Sequence, residues 1–141
     1  NKSIKNLSGG ELQKVSIATC LLQKVDLYAL DEPSAFLDVE DRIAVAKFLQ
    51  QFTRSFGKSA MVIDHDLQLL DLISDSIVIF QGTSGMNGHA SPPISKVAAM
   101  NQFLKSLDIT FRRDEKSKRP RVNKENSRLD KTQKASANFY Y

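Results

Sequence analysis

Apolar and polar positions alternate along the first eighty residues in a way that predicts helices and strands in turn. Residues 12–22 are rich in apolar side chains and free of glycine and proline, which predicts a largely buried helix. The four-residue apolar runs at 27–30 and 60–63 each end in acidic residues and predict buried parallel strands. The remaining elements predicted in this part are helices over 39–56 and 67–73 and a strand over 76–80. This alternation indicates an α/β layer with a parallel sheet.

The rest of the chain has a weaker pattern. The stretch GTSGMNGHASPP (82–93) predicts a loop because of its glycines, serines and prolines. A last helix is predicted over 94–107, followed by a short extended piece that ends at residue 111. Residues 112–138 are polar, basic and nearly free of apolar periodicity, which predicts a flexible tail or an arm that wraps a partner.

Composition narrows the class of protein. The 141 residues suffice for one domain, and 41% hydrophobic with 26% charged residues is ordinary for a soluble globular domain. No apolar run reaches the ~20 residues that span a bilayer, and no charged-then-apolar leader opens the chain. The single cysteine, Cys20, forms no internal disulfide and is predicted to be a buried structural thiol. We therefore expect a cytoplasmic protein without a membrane partner.

The net charge of +4 is unevenly distributed. Residues 112–134 hold ten lysines and arginines against four acidic residues, whereas the rest of the chain holds ten against twelve. The basic character therefore belongs to the C-terminal segment.

Two acidic residues stand at the end of the first predicted strand. Ligand sites of parallel sheets form outside the carboxyl ends of strands, where Asp31 and Glu32 are expected to lie. One carboxylate there can orient Mg²⁺, directly or through water, and the next can position and deprotonate an attacking water. A solvated acidic turn is the alternative interpretation, and LYALDEP alone leaves it open.

Histidine follows the second strand in the same manner. A lone histidine is usually structural, but at a strand end beside Asp31 the His65 imidazole can hydrogen-bond a terminal phosphate and the attacking water. His89 lies in the glycine-rich stretch without a partner pattern and is interpreted as a surface residue.

A phosphate-facing helix start is predicted near the beginning of the chain. Ser8 and Glu11 fit the S-x-x-E capping box. The free N–H groups of a first helical turn attract anions, and glycines such as Gly9 and Gly10 let a phosphate approach the backbone closely. A helix that is simply capped is the alternative.

Taken together, these motifs are more specific than any one alone. LSGGE (7–11), DEP (31–33), SAFLD (34–38) and VIDHD (62–66) follow one another in this order. The set resembles the C-terminal half of an ATP-binding-cassette (ABC) ATPase domain, with its signature motif, Walker B motif, D-loop and switch histidine. The resemblance implies a P-loop NTPase-type α/β fold with a parallel sheet and flanking helices.

The resemblance also implies roles for residues. Asp31 is expected to hold Mg²⁺ through water, Glu32 to be the catalytic base and His65 to sense the γ-phosphate of ATP. The signature motif is expected to bind the γ-phosphate of an ATP held by a second, facing ABC domain, and the D-loop aspartate to couple the two sites. The nucleotide-site residues so implied are Ser8, Gly9, Gly10, Glu11 and Asp38.

A phosphate-binding loop of the type G-x-x-x-x-G-K-[ST], the Walker A motif, is not found in the sequence. The triplet Gly57-Lys58-Ser59 fails because Phe52 stands where the first glycine belongs and because a strand follows. The chain also begins at Asn1, so we expect a fragment of a longer protein. The isolated chain is expected to hydrolyse no ATP and, with sheet edge and core exposed, to self-associate.

The C-terminal segment narrows the resemblance to ABC subfamily E, the ribosome-recycling factors once called RNase L inhibitor. MNQFLKSLDITFRRD (100–114) and RPRVNKENSRLDKTQK (119–134) look like the end of that family's second ATPase domain and its closing hinge. Phe36 replaces the usual D-loop tyrosine and Asp64 the usual glutamate before the switch histidine, and neither change touches a catalytic role.

This narrower resemblance implies domains, cofactors and partners. Residues 1–111 are assigned to the ATPase domain and residues 112–141 to a basic hinge. ATP and Mg²⁺ are the expected cofactors, and no iron–sulfur cluster is expected because the cluster cysteines are not in this chain. The expected partners are the facing ABC domain of the same full-length chain, the small ribosomal subunit and ribosomal RNA, which the family binds as it splits ribosomes.

The basic segment contains candidate contacts to ribosomal RNA. Arginine suits phosphate through its bidentate geometry. The candidates are Arg112, Arg113, Lys118, Arg119 and Arg121. Packing against the ATPase halves as a hinge is an equally weighted alternative, and a disordered charge run is a third.

Two other ABC classes share the same motifs. A chromosome-maintenance ATPase of the SMC or Rad50 type has a signature motif, Walker B motif and switch histidine but binds DNA. The ATPase subunit of a membrane transporter also has these motifs. The C-terminal ITFRRD and RPRVNK stretches argue against both.

Overall fold

The computed structural model describes residues 3–116 and 119–141. These residues form two compact units, which divide between Ile73 and Ser74. No helix in the described part of the chain is long and apolar enough to cross a membrane. The predicted domain boundary between residues 111 and 112, drawn from motif content and charge, stays a prediction.

The first unit contains the α/β elements predicted from the apolar pattern. In chain order these are a 3-10 helix Ile4–Asn6, α1 Gly9–Leu21, β1 Leu27–Asp31, α2 Val39–Phe56, β2 Ser59–Ile63 and α3 Leu67–Ile73. β1 and β2 pair in parallel, with Leu27 opposite Ser59 and Asp31 opposite Ile63. The predicted parallel sheet with flanking helices is therefore confirmed.

Side-chain caps explain where the helices of this unit begin and end. The Ser8 Oγ accepts the Glu11 N–H, and the Glu11 carboxylate accepts the Ser8 N–H, so α1 starts with a complete capping box. The Asp38 carboxylate caps α2. Gly57 ends α2 with φ 58°, a left-handed conformation that glycine adopts without strain. The Gly57-Lys58-Ser59 triplet thus joins a helix to a strand, unlike a phosphate-binding loop.

The core of the first unit lies on one face of its sheet. Ile17 and Leu21 from α1, Tyr28 and Leu30 from β1 and Leu49 from α2 form one buried cluster. The side chain of Ala29, between Tyr28 and Leu30, and that of its β2 partner Met61 point to the opposite face of the sheet, because successive strand side chains alternate between faces. On that second face the exposed apolar side chains include Leu27, Met61 and Ile63. In the described residues, β1 is therefore covered on one face only, and β2 has no fully buried residue, so the prediction of two buried strands is wrong.

The second unit is built from short antiparallel pairs and two helices. Its elements are β3 Ser76–Ile77, β4 Phe80–Thr83, β5 Asn87–Ala90, β6 Ile94–Ser95, α4 Lys96–Ser106, β7 Phe111–Arg113, β8 Pro120–Val122 and α5 Arg128–Ala135. The antiparallel pairs are β3 with β6, β4 with β5 and β7 with β8. The strand predicted over 76–80 is thus wrong in length and direction, because Ser76 and Ile77 pair antiparallel with β6 and Phe80 begins β4, which pairs antiparallel with β5.

The glycine-rich stretch predicted as a loop forms the hairpin of β4 and β5, so that prediction is wrong. Gly82 lies opposite Gly88 in this hairpin. A Cβ atom at Gly82 would lie 2.2 Å from the Asn87 carbonyl oxygen. The glycine that suggested a loop is what allows the two strands to approach each other.

The described residues of the basic C-terminal segment are folded, so the prediction of a flexible tail is wrong, and that of an arm that wraps a partner stays a prediction. The Thr110 Oγ1 donates a hydrogen bond of 2.6 Å to the Asp130 Oδ1, and the Asn123 Nδ2 donates one of 2.9 Å to the Thr110 Oγ1. Asn123 also donates to the Gln133 side chain, whose Nε2 donates to the Phe111 carbonyl at 2.9 Å. Polar side chains occupy this interior, which is why apolar periodicity did not reveal it.

Candidate active site

The ends of the two parallel strands bring the acidic pair and the histidine together. Asp31 is the last residue of β1. The N–H of the following residue, Glu32, donates a hydrogen bond of 2.7 Å to the carbonyl oxygen of Ile63, the last residue of β2. The turns after β1 and β2 therefore lie side by side. The Glu32 Oε1 is 3.6 Å from the His65 Nδ1, with the side chains 58% and 79% exposed. A carboxylate and an imidazole at this separation can act on the same small ligand.

The backbone of the acidic turn is strained and held in place. Glu32 has φ 44°, in the left-handed region that non-glycine residues rarely adopt. Its carbonyl accepts hydrogen bonds from the Gln13 Nε2 at 3.2 Å and from the Ala35 N–H at 3.0 Å. The side chain of Pro33, which follows, is fully buried. These contacts direct the Glu32 carboxylate outward from a fixed turn.

The start of α1 keeps donors that an anion can use. The capping box occupies the Glu11 N–H, at 3.2 Å from the Ser8 Oγ, and the Ser8 N–H, at 2.8 Å from the Glu11 Oε2. The Ser8 hydroxyl accepts in this arrangement, and its own hydrogen can still be donated. Gly9 and Gly10 lie in the first turn, whose N–H groups have no acceptor within the helix. The capping box is therefore compatible with the predicted phosphate contact.

The D-loop packs directly on this helix start. A Cβ atom at Gly10 would lie 2.9 Å from the Phe36 carbonyl oxygen, and one at Gly9 would lie 3.3 Å from the Phe36 Cβ. Phe36 has φ 62° and is 80% exposed. The approach of the D-loop thus requires glycine at position 10 and leaves little room for a side chain at position 9, a reason for these glycines that sequence reasoning missed.

The Asp38 carboxylate caps α2 and contributes to a charged surface between α1 and α2. Its Oδ1 accepts the Asp41 N–H at 2.8 Å. The Asp41 Oδ2 accepts from the Lys14 Nζ at 2.8 Å. This hydrogen bond is the main cause that raises the pKa of Lys14, aided by the charges of Asp41, Asp38 and Glu11 and opposed by desolvation. Asp38 is therefore placed beside the signature helix, on the N-terminal turn of α2.

Sequence reasoning missed the residues that connect the two strand-end turns. The Arg42 Nε donates to the Leu37 carbonyl at 2.9 Å, and its Nη1 donates to the Asp66 Oδ2 at 2.7 Å. The Asp64 carboxylate accepts from both the N–H and the hydroxyl of Ser34. A basic residue near the N-terminus of a helix opposes the dipole preference for acidic residues, and this was a signal that Arg42 has a partner.

The candidate nucleic-acid residues are placed on and beside the β7–β8 hairpin. Arg112 lies directly opposite Arg121 in the pairing, and both are exposed, as are Arg113 and Arg119. Lys118 lies outside the described residues. The two opposed guanidinium-bearing residues place positive charge at one position of the hairpin.

Part of this basic group also has contacts within the second unit. The Arg121 Nε lies 3.2 Å from the Asp114 Oδ2. The Arg113 Nη2 donates to the Tyr141 hydroxyl at 3.0 Å, and its guanidinium lies 4.4 Å from the centre of the Tyr141 ring. Arg112 donates to the Asn123 Oδ1 at 3.3 Å. The side chains are thus positioned by the fold, and their exposed donors remain at the surface.

The residues present fit the cofactors that the resemblance implies. Mg²⁺ is usually bound by one or two carboxylates together with water and phosphate oxygens. Asp31 and Glu32 supply adjacent exposed carboxylates at the end of β1. ATP phosphates are attracted by helix N-termini with close backbone approach, as at Ser8 and Gly10.

Similarity to known proteins bears on the family and the fold. The model of the family described as ABC transporter matches residues 1–35. The translation initiation factor RLI1 of Chaetomium thermophilum is 43% identical over all 141 residues, which is 100% of this chain and 23% of RLI1. The sequence thus spans about a quarter of the length of this relative.

Solved structures give the same result. An archaeal ABCE1, in a model of ribosome-bound Pelota and ABCE1, matches with a TM-score of 0.94 and 48% identity over 100% of this chain and 24% of its own. The archaeal ribosome recycling factor aABCE1, in complex with the ribosomal stalk protein aP1, matches with a TM-score of 0.90 and 47% identity over 98% and 27%. The predicted ABC ATPase fold is therefore confirmed.

The chromosome-maintenance class is similar in fold alone. An SMC ATPase structure matches with a TM-score of 0.57 and 21% identity over 75% of this chain and 65% of its own. The RLI1 and ABCE1 matches, in contrast, extend through the C-terminal segment, whose ITFRRD and RPRVNK stretches had indicated the subfamily. The chain therefore belongs to subfamily E of the ATP-binding-cassette proteins.

Proposed function

We propose that the full-length protein containing this chain binds and hydrolyses ATP to split ribosomes and to bind the small ribosomal subunit. The observation that carries the proposal is the Glu32–His65 pair, 3.6 Å apart at the ends of adjacent parallel strands. It lies in a chain similar throughout to an initiation factor and to a ribosome-bound recycling factor. Such a protein acts in translation termination and initiation, and therefore in the cytoplasm.

Within this proposal the strand-end residues perform the hydrolytic step. Asp31 would hold Mg²⁺ through water, and the metal would supply charge that neutralises the phosphates of bound ATP. The Glu32 carboxylate, directed outward by its strained turn, orients the attacking water and accepts its proton. His65 donates a hydrogen bond to the terminal phosphate from the neighbouring turn. Catalysis of this kind consists mainly of positioning and charge stabilisation.

The signature and D-loop residues serve the opposite nucleotide in this proposal. Ser8, with its donatable hydroxyl hydrogen, and the Gly10 N–H bind the γ-phosphate of ATP held by the facing ABC domain. The D-loop rests on Gly9 and Gly10, so Asp38 and the signature helix respond together when that domain closes. Glu11 acts through the capping box that positions Ser8.

Ribosomal RNA contact is proposed for the exposed basic residues of the hairpin region. Arg112 and Arg121 lie opposite each other and can bind neighbouring phosphates, with Arg113, Lys118 and Arg119 extending the positive surface. Replacing both Arg112 and Arg121 with alanine is expected to weaken small-subunit binding and to reduce its salt dependence, measured by sedimentation at two salt concentrations. Unchanged binding with a changed rate of domain closure would favour the hinge role.

The experiment that tests the proposed function uses Glu32→Gln in the full-length protein. Removal of the general base is expected to lower kcat for ATP hydrolysis about 10²–10⁴-fold. With ATP, the variant is expected to migrate with small ribosomal subunits on a sucrose gradient of lysate. Glu40→Gln, which removes an exposed carboxylate on α2, serves as the matched control and should leave both readouts unchanged. Recovery on DNA or membranes instead would place the protein in another ABC class.

The isolated chain is expected to behave differently from the full-length protein. It is expected to hydrolyse no ATP because the 141 residues contain no Walker A motif. It is expected to self-associate through the exposed sheet face that includes Leu27, Met61 and Ile63. Light scattering tests association, and Met61→Lys should reduce it. A clean monomer, or turnover abolished by Glu32→Gln, would contradict these expectations.

A further inference from the structure

Two polar connections hold the turn after β1 and the turn after β2 together. The first is made by Asp64, directly before the histidine. The Asp64 Oδ1 accepts the Ser34 hydroxyl at 3.0 Å and its Oδ2 accepts the Ser34 N–H at 3.2 Å. Ser34 is buried and Asp64 is half-buried, so this connection is partly removed from water. The first residue of the D-loop is thereby tied to the residue that precedes His65.

The second connection is made by Arg42 and lies on the other side of the histidine. The Arg42 Nε reaches back to the carbonyl of Leu37 in the D-loop, and its Nη1 reaches across to the carboxylate of Asp66. The Asp66 Oδ1 accepts the Gln68 N–H at 2.8 Å at the start of α3. Asp66 therefore uses one oxygen to hold α3 and the other to hold the guanidinium.

His65 lies between these two anchored acidic residues. Its own side chain is exposed and 3.6 Å from Glu32. A displacement of the His65 turn relative to the D-loop must lengthen the Asp64–Ser34 contacts or the Arg42 contacts. Because charge-assisted hydrogen bonds are roughly twice as strong as neutral ones, such a displacement is resisted on both sides.

We propose that Arg42 is a positioning residue that fixes the D-loop, residues 34–38, against the histidine turn, residues 64–66. Through Arg42 a movement of the D-loop, which rests on the signature glycines, is passed to His65. The inference rests on the proposed ATPase function for its consequence in catalysis. The coupling itself rests only on contacts within the first unit.

The guanidinium shape is what the proposal requires of this side chain. Arginine presents its donors in a rigid planar fork, so one side chain can bind the Leu37 carbonyl and the Asp66 carboxylate in two directions. A lysine ammonium is a compact charge on a flexible stem and can keep the ion pair while losing the carbonyl contact. Arg42→Lys and Arg42→Met therefore separate the two arms.

The first test measures amide hydrogen exchange in the full-length protein without nucleotide. Arg42→Met is expected to speed exchange about tenfold in both segments, 34–38 and 64–70, because each loses an anchor. Arg42→Lys is expected to speed exchange in the D-loop segment alone. Lys14→Met removes the ion pair of Lys14 with Asp41, which is 2.8 Å long against 2.7 Å for Arg42 with Asp66, and should change neither segment.

The contrary outcomes of this test are also defined. Unchanged exchange in Arg42→Met would overturn the coupling. Equal acceleration in Lys14→Met would also overturn it, because the effect would then be a general loosening of the unit.

The second test compares kcat and KM for ATP in the same variants. Arg42→Met is expected to lower kcat about tenfold with KM changed less than about twofold, because the nucleotide contacts themselves are intact. Asp66→Asn is expected to add little to Arg42→Met in the double variant, since both break one connection. If wild-type turnover depends on Glu32 and Arg42→Met leaves kcat unchanged, Arg42 has no role in catalysis. Wild-type protein without Glu32-dependent turnover would reject the ATPase proposal, while the exchange result would still decide the coupling.

Discussion

The two compact units place their polar groups in opposite ways. The first unit has an apolar cluster beneath its sheet and carries its charged groups in exposed turns at the strand ends. The second unit also buries apolar side chains, but it encloses a hydrogen-bonded set of Thr110, Asn123, Asp130 and Gln133. The strand-end carboxylate and imidazole of the first unit are thus exposed and available for chemistry, whereas the buried polar set of the second unit holds its fold together. The same residue types have different consequences because burial differs.

The largest expected effect tests whether the units are separate folding entities. Leu49→Ala in the first unit and Leu104→Ala in the second each remove a side chain that is at most 1% exposed, so each should cost about 2–5 kcal/mol of unfolding free energy. In chemical denaturation with probes in each unit, each substitution is expected to lower the transition of its own unit more. Leu22→Ala, at an exposed position, is the control. A single transition lowered equally by both would break the comparison.

The next effect tests whether the buried polar set of the second unit is structural. Asn123→Ala removes donors to Thr110 and Gln133 and leaves their buried oxygen atoms without these partners, which should cost about 1–3 kcal/mol. Denaturant unfolding measures the change. Asn138→Ala removes an exposed amide of the same unit and should be nearly neutral. Equal stability of the two variants would show that the polar set contributes no more than surface groups do.

A smaller effect is expected where the D-loop rests on the first unit's signature helix. Gly10→Ala would place a Cβ atom 2.9 Å from the Phe36 carbonyl oxygen, so the D-loop must shift at a cost of about 1–3 kcal/mol. Faster hydrogen exchange in residues 34–38 should accompany the loss of stability. Gly88→Ala has open space around the added methyl group and is the matched control. Unchanged exchange would show that the helix start tolerates the methyl group.

The smallest expected effect concerns the pH dependence of stability that the buried Asp130 carboxylate gives to the second unit. The Thr110 hydroxyl is the main cause that lowers the pKa of Asp130 below its ordinary 3.8, aided by the Asn126 N–H and by Lys134 and opposed by desolvation. The carboxylate therefore contributes stability that is fully present above its ordinary pKa and is lost as pH falls through the lowered value. Unfolding of the second unit, followed from about pH 6 to about pH 2, measures this loss.

Asp130→Asn should remove that part of the pH dependence. Asp75→Asn, at an exposed carboxylate of the same unit, should leave it in place. An identical acid response in wild type and Asp130→Asn would show that Asp130 has the same pKa in the folded and unfolded chain.

The sequence predicted the first unit well because its signals are local. Ser8 and Glu11 specify a capping box within four residues, and the apolar runs before Asp31 and Asp64 specify two strands. The placement of His65 beside Glu32 follows from parallel pairing of those strands, a general property of such sheets. Local signals of this kind need no knowledge of distant contacts.

Other features depend on partners far along the chain. Arg42 joins residues 37 and 66, and nothing in its immediate neighbours names either partner. Asn123 and Gln133 fold a segment whose composition resembles a solvated tail. The β4–β5 hairpin was missed because Gly82 is equally compatible with a loop and with two closely approaching strands. In each case tertiary contact decided between local alternatives of similar energy.

Two residues of the first unit have backbone conformations that glycine adopts with less strain. Glu32 has φ 44° and Phe36 has φ 62°, each at a cost of roughly 1 kcal/mol. Selection for stability alone would favour glycine at both positions, and under the proposed function selection for activity retains the carboxylate at the first. Under that proposal, a lineage released from the activity should drift toward glycine at residue 32.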